Sequence, residues 1–234
     1  MQGMRMMVIF EKGAPLRHIG HLDIMRTMQR ALRRSTLPIM YSRGFHPHVQ
    51  LSFASPLSVG TVGLREVMDV PLEEAVEEEV FIALLSRVLP LCLQVRDVRL
   101  LEDGFPTLMA LVAASRYLLH LDPGKTSQAV IEHVCRFMNL SSYHALRKTK
   151  SGEAVCDIRP FVLSAQTASE GDGWNIRCAL AATAQGTLRP ALWVKCLCDM
   201  ASVEGAACSI IREDILCRGK DGILIPMGEY CDAQ

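Results

Sequence analysis

Apolar residues fall along the chain in short runs whose period keeps changing, and each change marks an element. Met4 to Phe10 (MRMMVIF) is almost continuously apolar and ends at Glu11-Lys12-Gly13, which predicts a strand leaving for a loop; Pro15 keeps that loop non-helical. From His21 to Ser35, Leu22, Met25, Met28 and Leu32 recur at three- and four-residue intervals, with Asp23 in the first turn, which predicts a helix. Leu37-Pro38 stops it. Ile39 to Ser42 then reads as a strand, Arg43 to His48 as a turn, and Val49, Leu51 and Phe53, alternating with Gln50 and Ser52, as a half-buried strand.

Arg65 to Leu72 predicts another strand, with Glu66 and Asp69 near its middle. Glu73 to Leu89 predicts a helix with an acidic start, and Leu93 to Leu101 a closing strand. Past Ala114 the order repeats: a strand to Leu121, a helix to Met138, a hairpin around Lys150-Ser151-Gly152, a strand over Trp174 to Ala182, a helix over Pro190 to Met200 and a strand over Cys208 to Leu216. The expected fold is α+β: two tandem ferredoxin-like (split β-α-β) units with antiparallel sheets and helices on one face. The acidic, Gly- and Pro-containing break Glu102 to Pro106 sets the expected domains at 1–102 and 114–217, with 218–234 a loosely attached tail.

Composition narrows this reading without assigning a function. Half of the 234 residues are hydrophobic and 21% are charged, enough to bury a core, and 25 Lys+Arg balance 25 Asp+Glu, so bulk charge names no partner. The longest stretch free of charged residues, Gly44 to Leu64, carries His46, Pro47, His48, Gln50, Pro56 and Gly60, which no lipid-facing helix would hold. No secretory leader pattern opens the chain, and the nine cysteines are irregularly spaced without a C-x-x-C pair. A cytoplasmic protein with reduced, mostly structural thiols is expected, with no membrane segment, no cofactor and no metal. Phosphate-binding G-x-x-x-x-G-K-[ST] and G-x-G-x-x-G loops are missing, as is the C-x-x-x-C-x-x-C spacing that holds a radical-SAM iron–sulfur cluster.

Charge is unevenly placed. Between Arg17 and Gln50, six arginines oppose only Asp23, leaving +5, with four histidines in addition. At about 100° per residue, Arg26, Arg30 and Arg33 form one helical stripe. Guanidinium groups hold phosphate through paired donors, so this stripe, with Arg17, Arg43 and the Gly-Phe-His-Pro-His turn, suits a phosphodiester backbone. Pairing of the same arginines with Glu66, Asp69 or the acidic second helix is the competing reading. His21 and His48 are candidates for a catalytic acid or base. Asp157 and Arg159, two apart on an expected strand, face one side and are read as a charge pair at the domain junction, with a ligand site as the alternative.

Lys12-Gly13, Arg17, His21-Leu22-Asp23, Arg26, Arg30-Ala31, Arg33-Arg34, Leu37-Pro38, Tyr41-Ser42, Gly44-Phe45, Pro47-His48, Phe53, Pro56-Leu57, Gly60 and Glu66 together resemble the bacterial radical-SAM-linked domain of unknown function, found alone or fused C-terminal to a radical-SAM protein. Lys150, Gly152, Asp157-Ile158-Arg159-Pro160, Gly186 and Arg189-Pro190 resemble its weaker second block. Three positions depart from the pattern: Gly20 stands where a capping Ser is usual, His46 where Asn is frequent, and Gly63 where Ser is frequent. His46 is therefore a poor candidate for an obligatory group. The resemblance implies a radical-SAM protein as partner and RNA as the shared substrate. The expected function is an accessory RNA-binding module using Arg17, His21, Arg26, Arg30, Arg33, Arg43 and His48 as a basic groove, with Asp23, Glu66, Asp157 and Arg159 as partner or structural polar groups. A metal-independent endoribonuclease and a protein-binding scaffold for the radical-SAM partner are the alternatives.

Overall fold

The computed structural model describes residues 4–149, 152–171, 173–183 and 186–230. The chain divides into two compact units, Met1–Val112 with Asp214–Gln234, and Ala113–Glu213. It is of the α+β class, and every strand pairing detailed below is antiparallel.

In the first unit, β1 (Arg5–Lys12) is followed by α1 (His21–Arg34), β2 (Ser52–Phe53), β3 (Thr61–Pro71), α2 (Glu78–Ser86), β4 (Leu93–Leu101) and the short α3 (Leu108–Leu111). β1 lies between β3 and β4, and β2 pairs outside β3, giving the order β2-β3-β1-β4. The run MMVIF is apolar on consecutive positions because β1 is covered on both faces. Met6, Val8 and Phe10 pack with Ile24, Met28 and Leu32 of α1 and Phe81 and Leu85 of α2. Met7 and Ile9 pack in a second cluster with Leu108, Ile215, Cys217 and Met227. Helices therefore do not cover one face alone, as the sequence reading expects: α3 and a C-terminal turn of helix share the other side.

The second unit contains β5 (Ala114–Leu121), α4 (Lys125–Met138), the hairpin β6 (His144–Thr149) and β7 (Gly152–Asp157), β8 (Val162–Glu170), β9 (Gly173–Thr183), β10 (Gly186–Thr187) and α5 (Pro190–Ala201). β9 pairs with β5 and with β8. Val130, Val134 and Phe137 of α4 and Trp193 and Leu197 of α5 pack on Leu119, Ile176 and Leu180 in one core. β11 (Cys208–Arg218) follows, then β12 (Leu224–Pro226) and α6 (Met227–Tyr230).

Several expected boundaries move. The expected loose tail is packed: Leu216, Cys217 and Arg218 pair with Pro226, Ile225 and Leu224, and Met227 is buried. Ile39 to Ser42 forms isolated bridges, Ile39 to Leu72 and Tyr41 to Val49, instead of a strand. The second helix begins at Glu78, because Glu73 is held outside it by a backbone bond to Pro38 (2.8 Å) and like charges crowd its acidic approach. The expected turn at Lys150 and Ser151 lies outside the described residues. No helix among the described residues is long and apolar enough to cross a membrane.

Candidate nucleic-acid interface

The face that α1 buries includes Met28 and Leu32 as expected, with Met25 packed against it, but departs from expectation at Leu22. Ile24, Met28, Ala31 and Leu32 point into the core, whereas Leu22 is 61% exposed. Two apolar stripes compete in this sequence, and the one centred on Met28 and Leu32 with Ile24 wins, leaving Leu22 within about 80° of Arg26, Arg30 and Arg33 on the outer face. That face is basic with an apolar start.

Two of the acids that the competing reading would pair with these arginines are engaged elsewhere: Asp69 binds Arg5 at 2.8 Å and Glu78 lies 3.6 Å from Arg99. Burial pushes the Asp69 carboxyl above the ordinary carboxylate range, against the lowering pull of Arg5. Arg26 alone of the stripe has an acid, Asp23 at 3.1 Å, and both partners are well exposed, so the pair adds little. Arg30 donates to Thr27 Oγ1 (3.3 Å) and Arg34 to the Val88 carbonyl (2.9 Å). Among the described residues, Arg17, Arg30, Arg33 and Arg43 have no ion pair. Arg17 donates from Nε to His18 (3.0 Å).

The Arg43–His48 turn is closed at its base and open at its tip. Ser42 N donates to the His48 carbonyl (2.9 Å), His48 N donates to Ser42 Oγ (3.0 Å), and Ser42 Oγ lies 2.7 Å from His48 Nδ1. Gln29 of α1 donates to the Val49 carbonyl (3.1 Å), tying the base of this turn to the helix beside its basic face. Phe45 is fully exposed, an aromatic ring carried on a short closed turn.

The hollow at the start of α1, about 10 Å³ and room for one water, is lined by Phe10, Lys12, His21, Phe53 and Glu66 and by none of the arginines. Lys12 is 3% exposed, and its Nζ donates to the carbonyls of Ile19 (3.0 Å), Arg17 (3.3 Å) and Thr61 (3.5 Å). It thereby fixes the loop that carries Arg17 into the helix. Glu66, equally buried, lines the same space, and His21 stands edge-on to Phe53 with ring centres 5.0 Å apart. Glu66 stands out in the sequence as a polar group inside a strand, whereas the signal for Lys12 is a lysine ending an apolar strand.

Asp157 and Arg159 do not form the expected charge pair. Asp157 Oδ1 accepts from the backbone N–H of Tyr143 (2.8 Å) and Arg159 (3.0 Å), and these bonds, the first above all, hold its carboxyl below the usual range. Arg159 donates to the Val162 and Met138 carbonyls, each at 2.8 Å. β7 ends at Asp157 and Arg159 opens a 3₁₀ turn, so the strand geometry that would place both on one side is lost. All these contacts lie within the second unit.

Cys178, Cys196 and Cys198 are buried, and burial raises the Cys178 thiol and pushes Cys196 up to about 11 and Cys208 up to about 12, the protonated state of packing residues. No three His, Cys, Asp or Glu among the described residues are grouped to hold a metal.

No curated protein matches the chain. A chain of a crystal structure of a Cbf5-Nop10-Gar1 complex is similar at 12% identity and a TM-score of 0.47; the match covers 90% of this chain, which spans about half (48%) of that one. A crystal structure of an unknown protein from Galdieria sulphuraria matches at 11% identity and a TM-score of 0.26, covering 90% of this chain and 98% of that one. The bacterial family described as "uncharacterized protein conserved in bacteria (DUF2344)" matches residues 5–190, and the chain belongs to it.

Proposed function

We propose that the first unit binds single-stranded RNA through the outer face of α1 and the Arg43–His48 turn, as an accessory module of a cytoplasmic radical-SAM protein in RNA modification or processing. The observation that carries this reading is that Arg17, Arg30, Arg33 and Arg43 have no ion-pair partner among the described residues, while Asp69 and Glu78 are taken by Arg5 and Arg99. Unpaired guanidinium groups supply the sequence-independent phosphate term, and the exposed Phe45 ring offers a base a stacking surface. The antiparallel order β2-β3-β1-β4, with α1 after β1 and α2 after β3, supports a ferredoxin-like reading of the first unit, and the pairing β8-β9-β5 supports it for the second. The radical-SAM partner rests on the resemblance of the Lys12 to Glu66 block.

Titration of a single-stranded oligoribonucleotide against the protein and its Arg30→Gln/Arg33→Gln variant tests this: binding at low salt that the variant weakens supports it. Lack of binding by either protein returns the basic face to a protein-docking role. A nuclease reading finds support in His48, whose Nδ1 lies 2.7 Å from Ser42 Oγ while its ring is exposed to a ligand. Intact oligonucleotide after hours of incubation rejects that second reading.

A further inference from the structure

In the second unit three cations face one hollow. A cavity of about 380 Å³ is lined by Arg147 of β6, Glu153 of β7, Thr187 of β10, and Arg189, Leu192 and Lys195 at the start of α5. Its size falls within the usual range for small-molecule sites. The side chains of Arg189 and Lys195 are exposed and make no hydrogen bond or ion pair with the described residues. Glu153 is the one acid among those lining residues, so three cations against one anion leave +2.

Arg147 is set in place before any ligand arrives. Its Nη2 donates to the Thr187 carbonyl at 2.9 Å, and its guanidinium carbon lies 5.6 Å from the centre of the Phe161 ring. Gly186 makes this possible: at φ +120° it adopts a backbone that side chains rarely take, and a Cβ there would meet Arg147 Nη2 at 2.3 Å. One of five guanidinium donors is used on Thr187, leaving others for an acceptor. Arg189 is the N-cap of α5 without a side-chain cap bond, so the positive end of a twelve-residue helix adds to the same field. Leu146 and Leu192 supply an apolar wall.

We propose that this hollow holds the phosphate of a nucleotide on Arg147, Arg189 and Lys195, with the sugar or base against Leu146 and Leu192. The nucleotide is either free or part of a strand; the site belongs to the second unit and α1 to the first. Calorimetric titration of the whole protein with AMP, with inorganic phosphate and with a single-stranded oligoribonucleotide distinguishes the sources. Arg189→Gln and Lys195→Gln, both at exposed positions, each weaken binding about tenfold or more, the size of a lost charge-assisted hydrogen bond. Arg33→Gln leaves AMP binding unchanged. Substitution-sensitive binding of AMP identifies a free nucleotide, and of the oligonucleotide alone a strand. Inorganic phosphate binding as tightly as AMP overturns the nucleotide assignment. Absence of binding by all three probes, or binding that neither substitution moves, overturns the site.

Discussion

Glu66 lies against the bare Cα of Gly63: a Cβ on Gly63 would sit 2.5 Å from both Cγ and Oε1 of Glu66. The β1–β3 register slips at this place, with Phe10 opposite Glu66 and Lys12 opposite Gly63, so the irregularity in β3 brings a buried carboxylate over a glycine beside a buried lysine. Gly63→Ala forces the buried Glu66 side chain to shift. We predict a loss of about 1–3 kcal/mol, read as a lower denaturant midpoint at unchanged slope.

Arg159 is a structural residue. Removing it leaves the Val162 and Met138 carbonyls without their donor. Arg159→Ala is expected to cost about 1–3 kcal/mol and to leave oligonucleotide binding unchanged. Unchanged stability together with lost binding assigns Arg159 to a ligand site instead.

Two aspartates titrate with opposite signs. The Asp69 carboxyl is raised by desolvation, so its contribution to stability is full below the ordinary carboxylate pKa of about 3.9 and is lost as pH rises through the raised folded value. The Asp157 carboxyl is lowered by backbone donors, so its contribution is present above that ordinary pKa and lost as pH falls through the folded value. The stability difference between the protein and Asp69→Asn is therefore expected to shrink as pH rises from acid, and that with Asp157→Asn to grow. Urea titrations across this range read both signs.

Much of the first unit was legible because its pattern is local. β4 spans Leu93–Leu101 as expected, and α1 differs from expectation by one residue. The facing of α1 was less legible, since Leu22 and Ile24 each begin a plausible apolar stripe and only packing chooses between them. β8 is not legible beyond Leu163 because its exposed positions there are small or polar, giving no apolar alternation. Arginine clustering was visible in the chain, but the hollow lined by Lys12, His21 and Glu66 was not: a lysine ending an apolar strand marks a candidate, and only packing shows that it donates to three backbone carbonyls.

The salt dependence of oligoribonucleotide binding tests the central claim most directly. Each phosphate contact on a single strand contributes a slope of about −0.7 to log K against log salt. Binding that falls with salt, and a slope shallower by about 1.4 in the Arg30→Gln/Arg33→Gln variant, is the result predicted. Absence of binding at low salt, or equal slopes for the two proteins, contradicts it.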